Sequence, residues 1–151
     1  MGFVVVGLDG SGTSRAAFRE AIREAQWREA SLLALHVVAY PVAAGAEFGA
    51  VIDIQMLQES GEQFAAAEID KLRAEYNGEF PVDVSYKVVF GHSGAQIIDA
   101  ASDTDGQKAE LVVLGSRGLG GFRGLLVGSV TTYAVHHLTC QLLIVPSSDD
   151  E

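Results

Sequence analysis

The chain has 151 residues, is 48% hydrophobic, and sets ten basic side chains against twenty acidic ones for a formal charge of −10. That length suits one domain with a packed core, and the acidity argues against binding driven by counterion release from a polyanion, so nucleic acid is not an expected partner. No apolar run approaches the roughly 18 residues of a membrane span and no basic leader precedes Phe3, which makes a cytoplasmic protein with no membrane partner the expectation. Cys140 is the one cysteine; with no mate for a disulfide or a soft-metal site, it reads as a small buried hydrophobe.

Strand-like and helix-like segments alternate along the chain. The spacing predicts five strands over Phe3–Leu8, Leu32–Val38, Val82–Val89, Leu111–Leu114 and Leu142–Val145. Four of these are apolar on both faces, as parallel strands covered on each side are, whereas Val82 to Val88 alternates like an edge strand. After Asp9, with Thr13 and Ser14 as possible caps, Ala16, Ala17, Phe18, Ala21, Ile22 and Ala25 form a helical stripe. On the same segment Glu20–Arg23 and Glu24–Arg28 pairs offset the like-charged row Arg15, Arg19, Arg23, which reads as a solvated face.

Pro41 to Asp53, rich in small residues, is expected to be a mobile connection. It leads into a longer stripe through Ile54, Leu57, Phe64, Ala65, Ile69, Leu72 and Tyr76, stopped by Asn77 and Gly78. Ile97, Ile98 and Ala101 mark a third helix; Val130, Ala134, His137 and Leu138 mark a fourth. The tail from Ser147 to Glu151 is expected to fray, leaving residues 1–146 as the domain and 147–151 as a disordered acidic tail.

This alternation implies an open, doubly wound α/β sheet of five parallel strands in the order 3-2-1-4-5 with helices on both faces, a Rossmann-like arrangement. In that order the first and fourth strands flank the switch point, so Asp9 and the loop after Leu114 open on one crevice.

That loop is rich in chemistry. Gly115, Gly118, Gly120, Gly121, Gly124 and Gly128 run from a strand end to a helix start, with Arg117 and Arg123 among them, and no acidic residue occurs from Leu111 through Cys140. Glycines there bring backbone N–H groups around one point with no Cβ to keep a ligand away, as phosphate binding requires. Ser129, expected as the N-cap of the last helix, would turn its hydroxyl and the amides of Val130 and Thr131 toward such a ligand.

Two familiar fingerprints are absent. Gly10-Ser-Gly12-Thr-Ser-Arg15 has Arg15 where a dinucleotide turn needs its third glycine, and no glycine precedes Lys-Ser or Lys-Thr as in a P-loop. Asp9 has three readings: ribose acceptor, metal ligand, or cap through the Ser11–Thr13 amides. His36 reads as a hydrogen-bonded core residue whose partner the sequence does not identify, and His92 as a loop residue. His136 and His137 face about 100° apart on a helix and make a poor metal pair.

Gly115-x2-Gly118-x9-Gly128-Ser129 resembles the signature of the ATP-binding branch of the universal stress protein family, adenine nucleotide alpha hydrolase-like in fold. The similarity extends to Val4 through Ser11, Leu35 to Val37, Val89 to Ile97 and Leu142 to Pro146; Gln141 and Gly124 depart from the residues common there. The resemblance implies ATP as ligand, with Mg²⁺ or Mn²⁺ as an accompanying cation. It places Asp9 at the ribose with Gly7 and Leu8 nearby, Val37, Val38 and Val89 along the adenine, and Gly115, Ser116, Arg117, Gly118, Gly128, Ser129 and Val130 around the triphosphate. It also implies a homodimer paired through Gln141–Val145, and a nucleotide-dependent stress-response regulator acting on a downstream protein that the sequence does not name. A slow ATPase or autophosphorylation at Ser116 or Ser129 is the enzymatic alternative, with Asp9 as the base on offer and no lysine clamp. A nucleotide-free interaction module is the third.

Overall fold

Runs of β-branched and leucine side chains pair into a single five-stranded sheet. A computed structural model describes residues 1–40, 53–102, 106–117 and 127–147. The strands are β1 (Phe3–Gly7), β2 (Ser31–Val38), β3 (Val84–Phe90), β4 (Leu111–Gly115) and β5 (Gln141–Val145), and the helices α1 (Gly12–Trp27), α2 (Ile54–Ala74), α3 (Ser93–Ala101) and α4 (Ser129–His137). All pairings are parallel, in the order β3-β2-β1-β4-β5. This is the doubly wound arrangement the alternating pattern predicts; the calls at Pro41–Ile52 and Gly118–Leu126 lie outside the described residues, as does the tail from Ser148.

Two cores flank the sheet, because successive strand residues point to opposite faces. Val4, Val6, Leu32, Ala34, Leu111 and Val113 pack under α1 and α2 with Phe18, Ile22, Ile69 and Leu72. Val5, Leu35, Val112 and Leu114 pack on the other side with Ile97, Ala101 and Ala134 from α3 and α4. Val4, Val5, Val6, Val112 and Val113 are wholly buried. The edges are wetter: Ser85, Tyr86 and Lys87 of β3 are exposed, and β5 is only partly covered.

Several local expectations change. α1 is capped by Ser11, whose hydroxyl accepts the Ser14 N–H at 3.1 Å, and not by Thr13 or Ser14, which are buried in its first turn. The row of arginines on α1 is not simply solvated: Arg23 and Arg28 do pair with Glu20 and Glu24, but Arg15 and Arg19 reach across to Glu68 of α2 and to Glu75, its C-cap. Ile54, placed on the apolar stripe of α2, is exposed, whereas Glu68 is buried in it. α2 ends before Asn77 and Gly78, which turn the chain with φ of 57° and 92°. Cys140 is half-buried, and desolvation by its neighbours raises its thiol pKa. Ser147 is not frayed: its N–H donates to Ser116 Oγ at 3.2 Å and its hydroxyl accepts from Arg117.

Candidate functional site

A crevice of about 500 Å³ opens where β1 and β4 end and their chains turn to opposite sides of the sheet. Its floor is Gly7 at the end of β1 and Leu8 just after it, Leu35 and Val37 from β2, and Leu114 and Gly115 from β4; Asp9, Arg117 and the first residues of α4 form its rim. Of the residues named from sequence, Gly7, Leu8, Asp9, Val37, Gly115, Arg117, Gly128, Ser129 and Val130 meet there. Val38 points the other way, against Gly61 of α2. Val89 stands beside Val37 in the ladder and packs on the α3–α4 core, next to the crevice and outside its lining. Gly118 lies outside the described residues.

Ser116 has a structural position. It is 5% exposed, its N–H donates to the Val145 carbonyl at 2.8 Å, its carbonyl accepts the Gly128 N–H, and its hydroxyl accepts the Ser147 N–H. These bonds draw the two ends of the glycine-rich connection together and hold the start of α4 against the end of β4.

The N-cap of α4 is Gly128, not Ser129, and it provides no side-chain cap. Ser129 is instead the first helical residue. The first intrahelical bond of the turn runs from Thr132 N–H to the Gly128 carbonyl at 3.0 Å, so the amides of Ser129, Val130 and Thr131 have no acceptor within the helix. All three residues line the crevice. With the helix dipole behind them, they present a ready anion site. The Thr131 hydroxyl bonds the Gly115 carbonyl at 2.8 Å, tying α4 to the strand end.

Gly115 permits a second close approach. A Cβ there would stand 2.6 Å from Thr13 Cγ2 and 3.2 Å from the Thr13 carbonyl carbon, so only glycine lets the start of α1 lie against the end of β4. Asp9 sits in the turn between β1 and α1, its Oδ1 accepting the Ser11 N–H at 2.9 Å and the Ser11 hydroxyl at 2.6 Å. The capping reading of Asp9 is thus realised through Ser11, and the carboxylate still faces the crevice. Gly10, at φ 84°, makes that turn.

Other lining residues escaped the sequence reading as site residues: Ser14, Leu35, Ala39, Ser93, Ile97 and Leu114. Ser93 opens α3, whose cap is His92; its Nδ1 accepts the Ala95 N–H at 3.1 Å and its ring packs on Tyr133 of α4. His92 is therefore a capping residue and not merely part of a loop. His36 finds its partner in the Leu8 carbonyl, 2.9 Å from its Nδ1. Among the described residues no group of three or more His, Cys, Asp or Glu side chains could hold a metal ion, and no helix is long and apolar enough to cross a membrane.

The sequence and the fold have counterparts among known proteins. The family model described as "Universal stress protein family" matches residues 2–146. A universal stress protein of Synechocystis, Sll1388, is 31% identical over 154 residues, covering 95% of this chain and 97% of its own length. A universal stress protein of Mycolicibacterium smegmatis is 29% identical over 97% of this chain, which spans only 48% of that relative. Among solved structures, universal stress protein UspA from Lactobacillus plantarum superposes with a TM-score of 0.76 at 25% identity, covering 95% of this chain and 97% of its own. A universal stress protein crystallised in complex with cAMP superposes at 0.67 with 27% identity, covering 97% and 98%. With the family model running from Gly2 to Pro146 over this sheet order, the chain belongs to the universal stress protein family.

Proposed function

We propose that the crevice binds ATP and that the protein is a nucleotide-dependent regulator of the stress response, passing its loaded or empty state to a partner protein. The observation that carries this reading is the trio of helix amides at Ser129, Val130 and Thr131 facing the same cavity as the Asp9 carboxylate. A polyanionic tail suits the amides and Arg117; a sugar, with hydroxyls that donate, suits Asp9. Leu35, Val37 and Ile97 give apolar walls that suit a purine. The cAMP complex of a relative adds weight to an adenine nucleotide as the class of ligand.

A divalent cation fits only as a companion of the phosphates. Asp9 is the one carboxylate among the described residues of the lining, and its Oδ1 is already engaged with Ser11, so Mg²⁺ or Mn²⁺ would be held mainly by phosphate and water oxygens. Autophosphorylation at Ser116 would require its buried hydroxyl to leave Ser147; Ser129, in the lining, is the accessible serine of the two.

Ser129→Pro tests the site with little disturbance of the fold. Proline is favoured at the first helical position, Gly128 before it is already extended at φ −78° and ψ 171°, and the substitution deletes one amide donor. Calorimetric titration with ATP should show Ser129→Pro binding weaker by about 1.5–3 kcal/mol, the usual contribution of a hydrogen bond to a charged group, with Ser129→Ala much closer to the parent. Equal affinity for ATP in the parent and Ser129→Pro would remove the helix amides from the site.

A further inference from the structure

We infer that His36 is a positioning residue for Asp9, acting from the far side of the sheet through the Leu8 carbonyl; this rests on the reading of the crevice as a nucleotide site. β1 leaves the sheet after Gly7, and Leu8 still donates its N–H to the Leu35 carbonyl at 2.9 Å. The Leu8 carbonyl is taken by the next residue of β2, not through its backbone but through the side chain: His36 Nδ1 lies 2.9 Å from it. A carbonyl only accepts, so Nδ1 carries the proton. The imidazole thereby fixes the last peptide before Asp9, at the point where the chain turns toward the crevice.

The ring is itself held. It packs on Phe64 of α2 with centroids 4.4 Å apart, and the same Phe64 presses on the turn, its Cζ lying 2.9 Å from where a Cβ on Gly10 would stand. Phe64 and His36 therefore brace the peptides on both sides of Asp9, one by contact at Gly10 and one by a hydrogen bond at Leu8. Leu8 lines the crevice, whereas His36 and Phe64 do not, so the brace touches no ligand and acts only by orienting the carboxylate. α2 is by the same contacts mechanically joined to the sugar end of the site.

Two substitutions separate the parts of the brace. His36→Phe keeps a ring against Phe64 and removes the donor; His36→Asn removes the ring and keeps an amide donor at the Nδ1 position. Affinities for ATP and for 2′,3′-dideoxy-ATP, which lacks the hydroxyls that Asp9 would accept from, measure orientation at the sugar and not general stability. The parent should prefer ATP about tenfold or more, the usual range for hydrogen bonds to a carboxylate. His36→Phe should lose most of that preference while its affinity for the dideoxy compound stays the same, and His36→Asn should recover part of it. Exchange of the Ser11 amide hydrogen, bonded to Asp9, should quicken in His36→Phe without any nucleotide present. An unchanged ATP preference and unchanged Ser11 exchange in His36→Phe would overturn the assignment. A parent that binds neither compound would instead overturn the nucleotide reading, and Ser11 exchange would then decide the brace alone.

Discussion

Thr13 leaves no room for a side chain at position 115. In Gly115→Ala the new methyl must push α1 away from the end of β4, and overpacking of this kind costs about 1–3 kcal/mol. For a chain of this size that is a fall in Tm of roughly 2–4 °C per kcal/mol, readable by calorimetry. ATP binding should fall further than stability, because the displaced strand end also carries Thr131 through its 2.8 Å bond. Loss of stability with undiminished binding would show that the close approach serves packing alone. Residues with backbone roles were the legible ones at this scale: the spacing of Gly115 and Gly128 and the position of Asp9 after an apolar run pointed to one crevice. Side chains on other segments were not. His36, Phe64 and Thr131 act through partners 28, 54 and 16 residues away, at Leu8, Gly10 and Gly115, and no local pattern marks such a pairing.

α1 and α2 are joined by two ion pairs of very different kind. Arg15 grips Glu68 with two bonds, Nε to Oε2 at 3.1 Å and Nη2 to Oε1 at 2.9 Å, and Glu68 is only 3% exposed. Arg19 and Glu75 make the same fork in solvent. Removing Arg15 leaves a buried carboxylate with only Lys71 at 3.6 Å, so Arg15→Ala should cost about 3 kcal/mol, against less than about 1 kcal/mol for Arg19→Ala. The hydrogen bond from Arg15 holds the Glu68 pKa below its ordinary 4.5, against the opposing effect of burial. A group whose pKa is depressed by folding contributes stability above its unfolded value and loses it as pH falls through the folded one. Acid titration of stability should therefore show a limb beginning near the ordinary carboxylate range and continuing below it, and Arg15→Ala should flatten that limb. An unaltered acid limb in the variant would assign the pH dependence to other carboxylates. From sequence the arginines of α1 look like one solvated row; the cross-helix half of their pairing depends on how α2 packs, which periodicity does not specify.

At the scale of the whole molecule, strand order follows from the alternation of strands and helices together with the right-handed preference of crossovers, which is why the sheet is legible in the sequence. Its two ends are unequal. β3 turns Ser85, Tyr86 and Lys87 to solvent, a charged and polar edge of the sort that discourages further pairing, while β5 offers Leu142, Leu143, Ile144 and Val145 in partial cover with no such guard. A second copy across Gln141–Val145 is the expected occupant, as the family resemblance implies. Sedimentation equilibrium should report twice the 16.0 kDa of one chain, and a monomer at micromolar concentration would leave that edge to some other partner.

The lone tryptophan, Trp27, closes α1 at 89% exposure, fifteen residues along the helix from Gly12. At 1.5 Å per residue it stands on the order of 22 Å from Gly12, at the end of the helix nearer the cleft. An indole so placed already emits as if in water, so intrinsic fluorescence should stay silent both when a nucleotide enters and, very nearly, when the chain denatures. Optical titrations of this molecule need a reporter at the other pole.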